Sequence, residues 1–478
     1  MTSVKKNFTW SIILSIAGRI FPLIIFPYIT RVLGVTLLGS IQYADGIVTY
    51  FTIFAMLGIN SIGVREIAKA KDNKEKLSRA FNSLLFLNLV ATFLAIVTLV
   101  VLIQYIPSFK SHSNLLYIGI SNILCGTLLI EWFYKGLENF RYITERTIVI
   151  RCIYIIAVFI FVKSKEDYLV YFILTALVYV VNAIINLLYS RKFVRFSFLN
   201  LNVRPYIKPF IVLGIYAILT NMYGSFNIVF LGSSCGDTEV GFYTTATKLY
   251  IVILSVFTSF TTVMMPRMSS LLSEGKKDEF LGMTSKSIDF LLLFCFPLII
   301  LAEVYAPEII RIIAGSGYEG AILPMRIIMP LMLVIGYEQI IVLQMLMPLG
   351  KDGAILINSS VGASIALVLN FLIVPHLGAV GSSLVWLCCE LGVAMSAHFF
   401  VFKYSGYCIP VKKICLKMLI YLPLAIICVV SQTIMNNHML ALLLGVVVVA
   451  IYFVVVEGCV LKTKILIDNY RVIKKRFS

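Results

Sequence analysis

Fourteen apolar stretches, each about the length a helix needs to cross a bilayer, fill nearly all of the 478 residues and leave no room for a soluble domain. They lie at residues 9–33, 41–64, 80–106, 115–136, 144–162, 167–189, 209–232, 240–264, 285–306, 322–347, 354–375, 379–402, 414–434 and 438–460, joined by short loops. With 60% hydrophobic residues, the chain reads as an all-α polytopic membrane protein. Whatever it does is done inside the membrane.

A formal net charge of +17 suggests nucleic acid until the basic residues are placed. Most of the 40 Lys and Arg fall in or beside segments that share one side: Lys5 and Lys6, the Arg65 to Arg79 loop, Arg191 to Lys208, Lys403 to Lys417, and the Lys462 to Arg476 tail. This is the positive-inside pattern, so both termini are expected in the cytoplasm, with no nucleic-acid partner. The first apolar run exceeds the length of a signal peptide and lacks a small-residue cleavage site, so it reads as a retained helix. The ten cysteines form no CxxC and the four histidines are scattered, giving no metal site and no cofactor.

Two stretches about 200 residues apart read alike. Gly39, Ala44 and Arg65 recur 202 residues later as Gly241, Ala246 and Arg267, whereas Leu33-Gly34 matches Leu231-Gly232 at 198, so a four-residue insertion in the intervening loop is expected. Six spans separate the copies, an even number, so the repeat is parallel. The implied organisation is a first lobe at 1–207 with spans 1–6, a second lobe at 208–402 with spans 7–12, and an appendix at 403–478 with spans 13 and 14 and the basic tail. The two lobes are expected to face a central cavity.

Polar residues inside the spans mark surfaces that lipid does not cover. At 100° per residue, Thr244, Lys248, Ser255, Ser259 and Thr262 of the eighth span fall within a sector of about 60°. In the second span Gln42, Asp45, Thr49, Thr52 and Asn60 occupy a sector of about 80°, and the seventh carries Tyr216, Thr220, Tyr223 and Asn227. Two readings stand: polar glue between packed helices, or the lining of an aqueous cavity. Stripes at equivalent positions of both lobes speak for the second.

Ionisable residues at bilayer depth cost ~2.5–3.5 kcal/mol each even on the lenient insertion scale, so their retention needs a reason. Arg19 lies deep in the first span, Lys248 sits on the stripe of the eighth, and Arg151 lies about two turns into the fifth; these are the candidates for a cationic cavity, with ion pairing and snorkelling as the alternatives. Glu390, mid-way along span 12, and Glu338 in span 10 must pair, bind a cation or hold a proton, which makes them the candidates for coupling to Na+ or H+. Pro22 and Pro27 in the first span, with Pro297 and Pro330, can bend helices.

At these residues a family resemblance appears. Gly18-Arg19-Ile20-Phe21-Pro22, the run Tyr28 to Gly34, Gly39 to Ala44, Gly63-Val64-Arg65-Glu66, and Pro307-Glu308-Ile309-Ile310 followed by Gly315 and Gly317 are similar to the polysaccharide-unit flippases of the multidrug/oligosaccharidyl-lipid/polysaccharide exporter superfamily. The resemblance covers essentially the whole chain. It implies a non-enzymatic protein of the cell membrane that carries a polyprenyl-diphosphate-linked repeat unit for O-antigen, capsule or exopolysaccharide from the cytoplasmic to the outer leaflet, and that works beside envelope polymerase machinery. In the related lipid II flippases an arginine of the first helix contributes to a cationic cavity, and Arg19 stands in a comparable motif. A multidrug cation antiporter of the same superfamily is the second reading, disfavoured by the two extra spans and the Arg19/Lys248 pair. A membrane glycan polymerase or ligase is the third, disfavoured because the loop at 307–321 offers little beyond Glu308, Arg311 and Glu319.

Overall fold

A computed structural model describes residues 2–197, 201–435 and 437–461. The basic tail from Lys462 onward therefore lies outside the described residues. In chain order the α-helices are α1 (Thr2–Met56), α2 (Ile59–Ala70), α3 (Lys74–Tyr105), α4 (Pro107–Ser111), α5 (Ser113–Leu128), α6 (Glu131–Gly136), α7 (Phe140–Phe161), α8 (Tyr168–Ser190), α9 (Arg204–Cys235), α10 (Asp237–Ser273), α11 (Lys277–Val304), α12 (Ala306–Ile313), α13 (Ile322–Ile328), α14 (Leu331–Gln339), α15 (Asp352–Ser405), α16 (Val411–Ile434) and α17 (His438–Phe453). Two π-helical stretches, Ile340–Leu346 and Val454–Val460, continue α14 and α17. Among the described residues there is no strand, and ten helical segments are long and apolar enough to cross a membrane. Aromatic and aliphatic side chains such as Phe93, Leu94, Met395 and Leu419 are exposed, as lipid-facing side chains are. The all-α polytopic class read from the sequence is the class observed.

The helix ends depart from the apolar spans in instructive ways. Spans 1 and 2 run together as α1, which turns at Gly34 (φ 75°, ψ 173°) rather than through a loop. Span 2 then breaks at Leu57-Gly58, where Leu57 has φ 34°, and α2 continues beyond it. Spans 11 and 12 likewise join as α15 across Gly378 (φ 52°, ψ −129°). Span 4 is interrupted at Ile130, which is left-handed.

The chain divides into two compact units, Met1–Thr244 and Thr245–Ser478. In the first, a core of Ile59, Ile62, Phe81, Leu84, Trp132 and Phe133 gathers α2, α3 and α6. Phe81 stacks on Trp132 at 5.7 Å, and Gly63 admits that indole where a Cβ would come within 2.6 Å of it. Asn73 caps α3 by accepting from the amides of Glu75 and Lys76 at 3.0 Å, so the charged loop ends in a defined helix start.

In the second unit α16 and α17 are fastened to the rest at both ends. Tyr305 donates to the Cys428 carbonyl at 3.2 Å and meets Ser431 Oγ at 2.6 Å, while Gln432 donates to both oxygens of Glu308 at 3.1 and 3.0 Å. At the other end Lys413 bonds Asp289 at 2.9 Å, and Lys417 pairs with Glu457, which also accepts from Tyr421 at 2.9 Å.

Candidate functional site

The polar stripe of the second span opens onto a cavity of about 390 Å³ within the first unit. Asp45, Thr49, Thr52 and Asn60 come from the end of α1 and the start of α2, Asn122 from α5 and Tyr179 from α8. Gln42, half-buried, is not part of the wall. Thr52 returns its hydroxyl proton to the Val48 carbonyl at 2.7 Å, as threonine commonly does in membrane helices, whereas Asn122, only 4% exposed, has an amide oxygen with no partner. Asp45, Arg151 and the phenols of Tyr154 and Tyr179 share one electrostatic neighbourhood.

Arg151 has a structural task that sequence alone does not disclose. Pro22 has no N–H, so the carbonyl of Gly18, four residues earlier, loses its helical donor. Arg151 Nη1 supplies one at 2.9 Å and reaches the Ala17 carbonyl at 3.4 Å, which ties α7 to the proline bend of α1. The side chains of Arg19, Tyr216, Thr220 and Tyr223 lie outside the described residues. Asn227 is buried and donates to the Tyr243 hydroxyl at 3.0 Å, so this member of the stripe serves packing.

A second charged cluster in the first unit escaped the sequence reading. Arg146 is buried, donates to Asn186 Oδ1, and bonds Glu131 Oε1 at 3.1 Å; Tyr142 also donates to Asn186 Oδ1 at 3.0 Å. The signal available was the row Asn182, Asn186, Ser190, spaced four residues apart on one face of α8.

In α10 the stripe is split by function. Thr244 is buried and back-bonds to Val240, while Ser255, Ser259 and Thr262 donate to their own helix at 2.6, 2.9 and 2.7 Å. Ser259 and Thr262 are exposed, and Lys248 is half-buried. Thr261 and Thr258 reach another helix, each 3.2 Å from the Gln339 side-chain amide of α14.

One residue before Gln339 stands Glu338, and the helix widens to π geometry at Ile340. π-stretches recur at functional sites because they re-aim side chains. Glu390 of α15 is buried and accepts from Trp386 Nε1 at 2.9 Å, and the indole meets the ring of Tyr250 edge-on at 5.2 Å. The two carboxyl groups are close enough to interact electrostatically. Two acids 52 residues apart in sequence (390 less 338) are thus brought to one place in the second unit.

The repeat is visible in the backbone and corrects one detail. Gly34 (φ 75°, ψ 173°) has its counterpart in Gly236 (φ 87°, ψ 176°), at the same offset of 202 that separates Thr36 from Thr238, so no four-residue insertion exists. Equivalent residues meet each other: Thr36 and Thr238 share a hydrogen bond of 2.9 Å, Gly39 lies against the Asp237 carbonyl, and Gly241 lies against the Val35 carbonyl. Such reciprocity is the contact pattern of a two-fold-related pair.

Beside this junction His112, between α4 and α5, presents Nε2 to Asp237 (3.0 and 2.9 Å) and Nδ1 to the Ser108 carbonyl at 2.8 Å; Ser40 also donates to Asp237 at 2.8 Å. Both ring nitrogens face acceptors, which suits the imidazolium. Burial lowers the His112 pKa, but the Asp237 hydrogen bond, the Ser108 carbonyl and the Asp237 charge together raise it above the ordinary value. A raised folded value means that the stabilisation is complete below the unfolded value of about 6.5 and is lost as pH rises through the folded one. Thermal unfolding of the wild type and His112→Gln between pH 5.5 and 9 is expected to show a gap that closes with rising pH. A constant gap would show that the contact is not ionic.

A family model described as "Polysaccharide biosynthesis protein" matches residues 4–272. The "Putative O-antigen transporter" of Escherichia coli (strain K12) is 24% identical over 350 residues, 72% of this chain and 84% of that protein. A protein of the same name from Shigella dysenteriae is 25% identical over 390 residues, 79% and 95% of the respective chains. Among solved structures, "Lipid II flippase MurJ, inward closed conformation" superposes with a TM-score of 0.75 at 14% identity, covering 94% of this chain and 99% of that one. An inward-facing multidrug resistance MATE family transporter of the MOP superfamily superposes with 0.65 at 15% identity, over 83% and 98%. At those identities the likeness is one of fold.

Proposed function

Because this chain belongs to the polysaccharide biosynthesis protein family, whose relatives are named as transporters and not enzymes, we propose that it flips a polyprenyl-diphosphate-linked oligosaccharide repeat unit from the cytoplasmic to the outer leaflet of the cell membrane. The observation that carries this reading is the match to O-antigen transporters along most of the chain, joined to a helical membrane fold like that of a lipid II flippase. The intramembrane chemistry supports it.

In this reading both termini are cytoplasmic, as the basic loops require. Arg19, Lys248 and Arg151 are the cations that meet the diphosphate, exposed hydroxyls such as Ser259 and Thr262 pass the sugars, and the prenyl tail stays in lipid. Glu338 and Glu390 are where a coupling Na+ or H+ resides, because two neighbouring acids at bilayer depth, Glu390 buried and Glu338 half-buried, call for a cation or a proton between them. Envelope polymerase machinery would receive the product.

The test is flipping by the purified protein in proteoliposomes loaded with lipid-linked glycan from the native host. Arg19→Glu is expected to lower the rate by about 100-fold or more, because a repulsive charge replaces an attractive one in a low-dielectric path, without loss of folded protein. Glu390→Gln is expected to leave flipping that no longer responds to an imposed Na+ or H+ gradient. Normal flipping by the first variant removes Arg19 from the path, and unaltered gradient dependence of the second removes Glu390 from coupling. The MATE-like fold favours drug antiport as a second reading, and gradient-driven efflux of a cationic dye with no glycan flipping would establish it.

A further inference from the structure

We infer that His112 and Asp237 form a proton-operated latch on the junction of the two repeat copies, which holds that face of the transporter shut while the imidazole is charged and frees it when the proton leaves. The inference rests on the proposed transport and orientation, in which the turn between α4 and α5 faces outward.

The junction is built to part. Its contacts are made by small and polar residues: Gly39 against the Asp237 carbonyl, Gly241 against the Val35 carbonyl, Thr36 on Thr238 at 2.9 Å and Tyr43 on Ser233 at 2.8 Å. Polar contacts of this kind exchange for water at small net cost, unlike the packed rings of Phe81, Trp132 and Phe133 in the same unit. Each copy also turns at a positive-φ glycine beside the junction, Gly34 and Gly236, where the backbone can absorb a rotation.

His112 lies outside both junction segments and grips one of them. Its Nε2 meets both oxygens of Asp237 at the start of α10, and Ser40 of α1 donates to the same carboxylate at 2.8 Å, so three segments converge on Asp237. The other ring nitrogen faces the Ser108 carbonyl at 2.8 Å, so only the imidazolium donates to both acceptors. Loss of one proton to the water of that face leaves a single N–H for two acceptors and ends the ion pair. The titratable groups facing the imidazole are Asp237 from α10 and, edge-on at 4.8 Å, the ring of Tyr43 from α1; Lys110 and Glu239 are the charges nearest the pair in sequence. Burial lowers the His112 pKa and the Asp237 and Ser108 contacts raise it by more, so the latch is complete below the ordinary value of about 6.5 and is lost as pH rises through the folded one.

The experiment reads the junction directly. Thr36→Cys and Thr238→Cys place two thiols where two hydroxyls now touch, and copper phenanthroline joins them as a disulfide in the purified protein between pH 5.5 and 9, counted by peptide mass spectrometry. Thiol chemistry itself varies with pH, so each rate is divided by that of the same pair in a His112→Gln background. The ratio is expected to be about fivefold or more at pH 5.5 and to fall to about one at pH 9, where glutamine and neutral imidazole are alike in charge. Asp237→Asn, which removes the charge and keeps a polar side chain at the helix start, is expected to act as His112→Gln does and serves if that variant fails to fold. A ratio that stays the same across the pH range overturns the latch. A pH-dependent ratio in a protein that flips no glycan in proteoliposomes upholds the pH-operated junction and overturns the transport reading instead.

Discussion

Lys417→Met is expected to destabilise the protein by about 3–5 kcal/mol, the cost of leaving a buried charge without its partner. Glu457 is fully buried at the end of α17, where Lys417 and Tyr421 of α16 are its partners by ion pair and hydrogen bond. Lys417→Met combined with Glu457→Leu should recover most of the loss, because two apolar side chains of similar volume can replace a buried pair at little or no cost. Thermal unfolding of the two single variants and the double variant in one detergent gives the cycle. If the single loss is small, or the double variant is no better than Lys417→Met, the pair does not fasten α16 to α17.

Gly39→Ala is expected to cost at least ~3 kcal/mol, above the usual range for an inserted methyl because the obstacle is backbone. Its Cβ would fall 1.8 Å from the Asp237 carbonyl oxygen and 2.9 Å from the Gly241 amide nitrogen, and neither can rotate aside. The start of α10 would have to move, which also pulls Asp237 from His112 and Ser40. Gly282→Ala is the control: nothing lies within 4 Å of its Cβ position in α11, and alanine in a helix gains about 0.5–1 kcal/mol over glycine. Equal melting temperatures for Gly39→Ala and Gly282→Ala would contradict the close approach.

The all-α membrane class was legible because a bilayer imposes length and apolarity on every crossing helix, and that demand is written in composition. The repeat was legible for a related reason: Gly39 and Gly241 recur because each abuts the other copy's backbone. The misaligned Gly34 shows the limit, since a Leu-Gly pair at 231–232 resembled Leu33-Gly34 in letters, while φ and ψ identify Gly236 as its counterpart.

Partnerships between distant segments were not legible. Glu338 and Glu390 were each conspicuous as acids in apolar spans, but only the packing of α14 on α15 brings them together. Arg146 was not singled out, because its burial depends on Glu131 and Asn186 from two other helices. The second-span stripe was found by periodicity, whereas Asn122 is a lone polar residue of its helix and Tyr179 shares its face with the row Asn182, Asn186 and Ser190, so nothing in the letters linked either of them to this cavity. Arg151 was singled out by depth alone, and the loss of the Pro22 N–H explains the bond from its Nη1 to the Gly18 carbonyl.

The most direct test of the central claim is to deplete the protein in its native host and determine, by leaflet-resolved mass spectrometry, which polyprenyl-diphosphate glycans build up. A single completed repeat unit trapped on the cytoplasmic leaflet is the predicted result. No build-up, or build-up on the outer leaflet, would contradict a flippase.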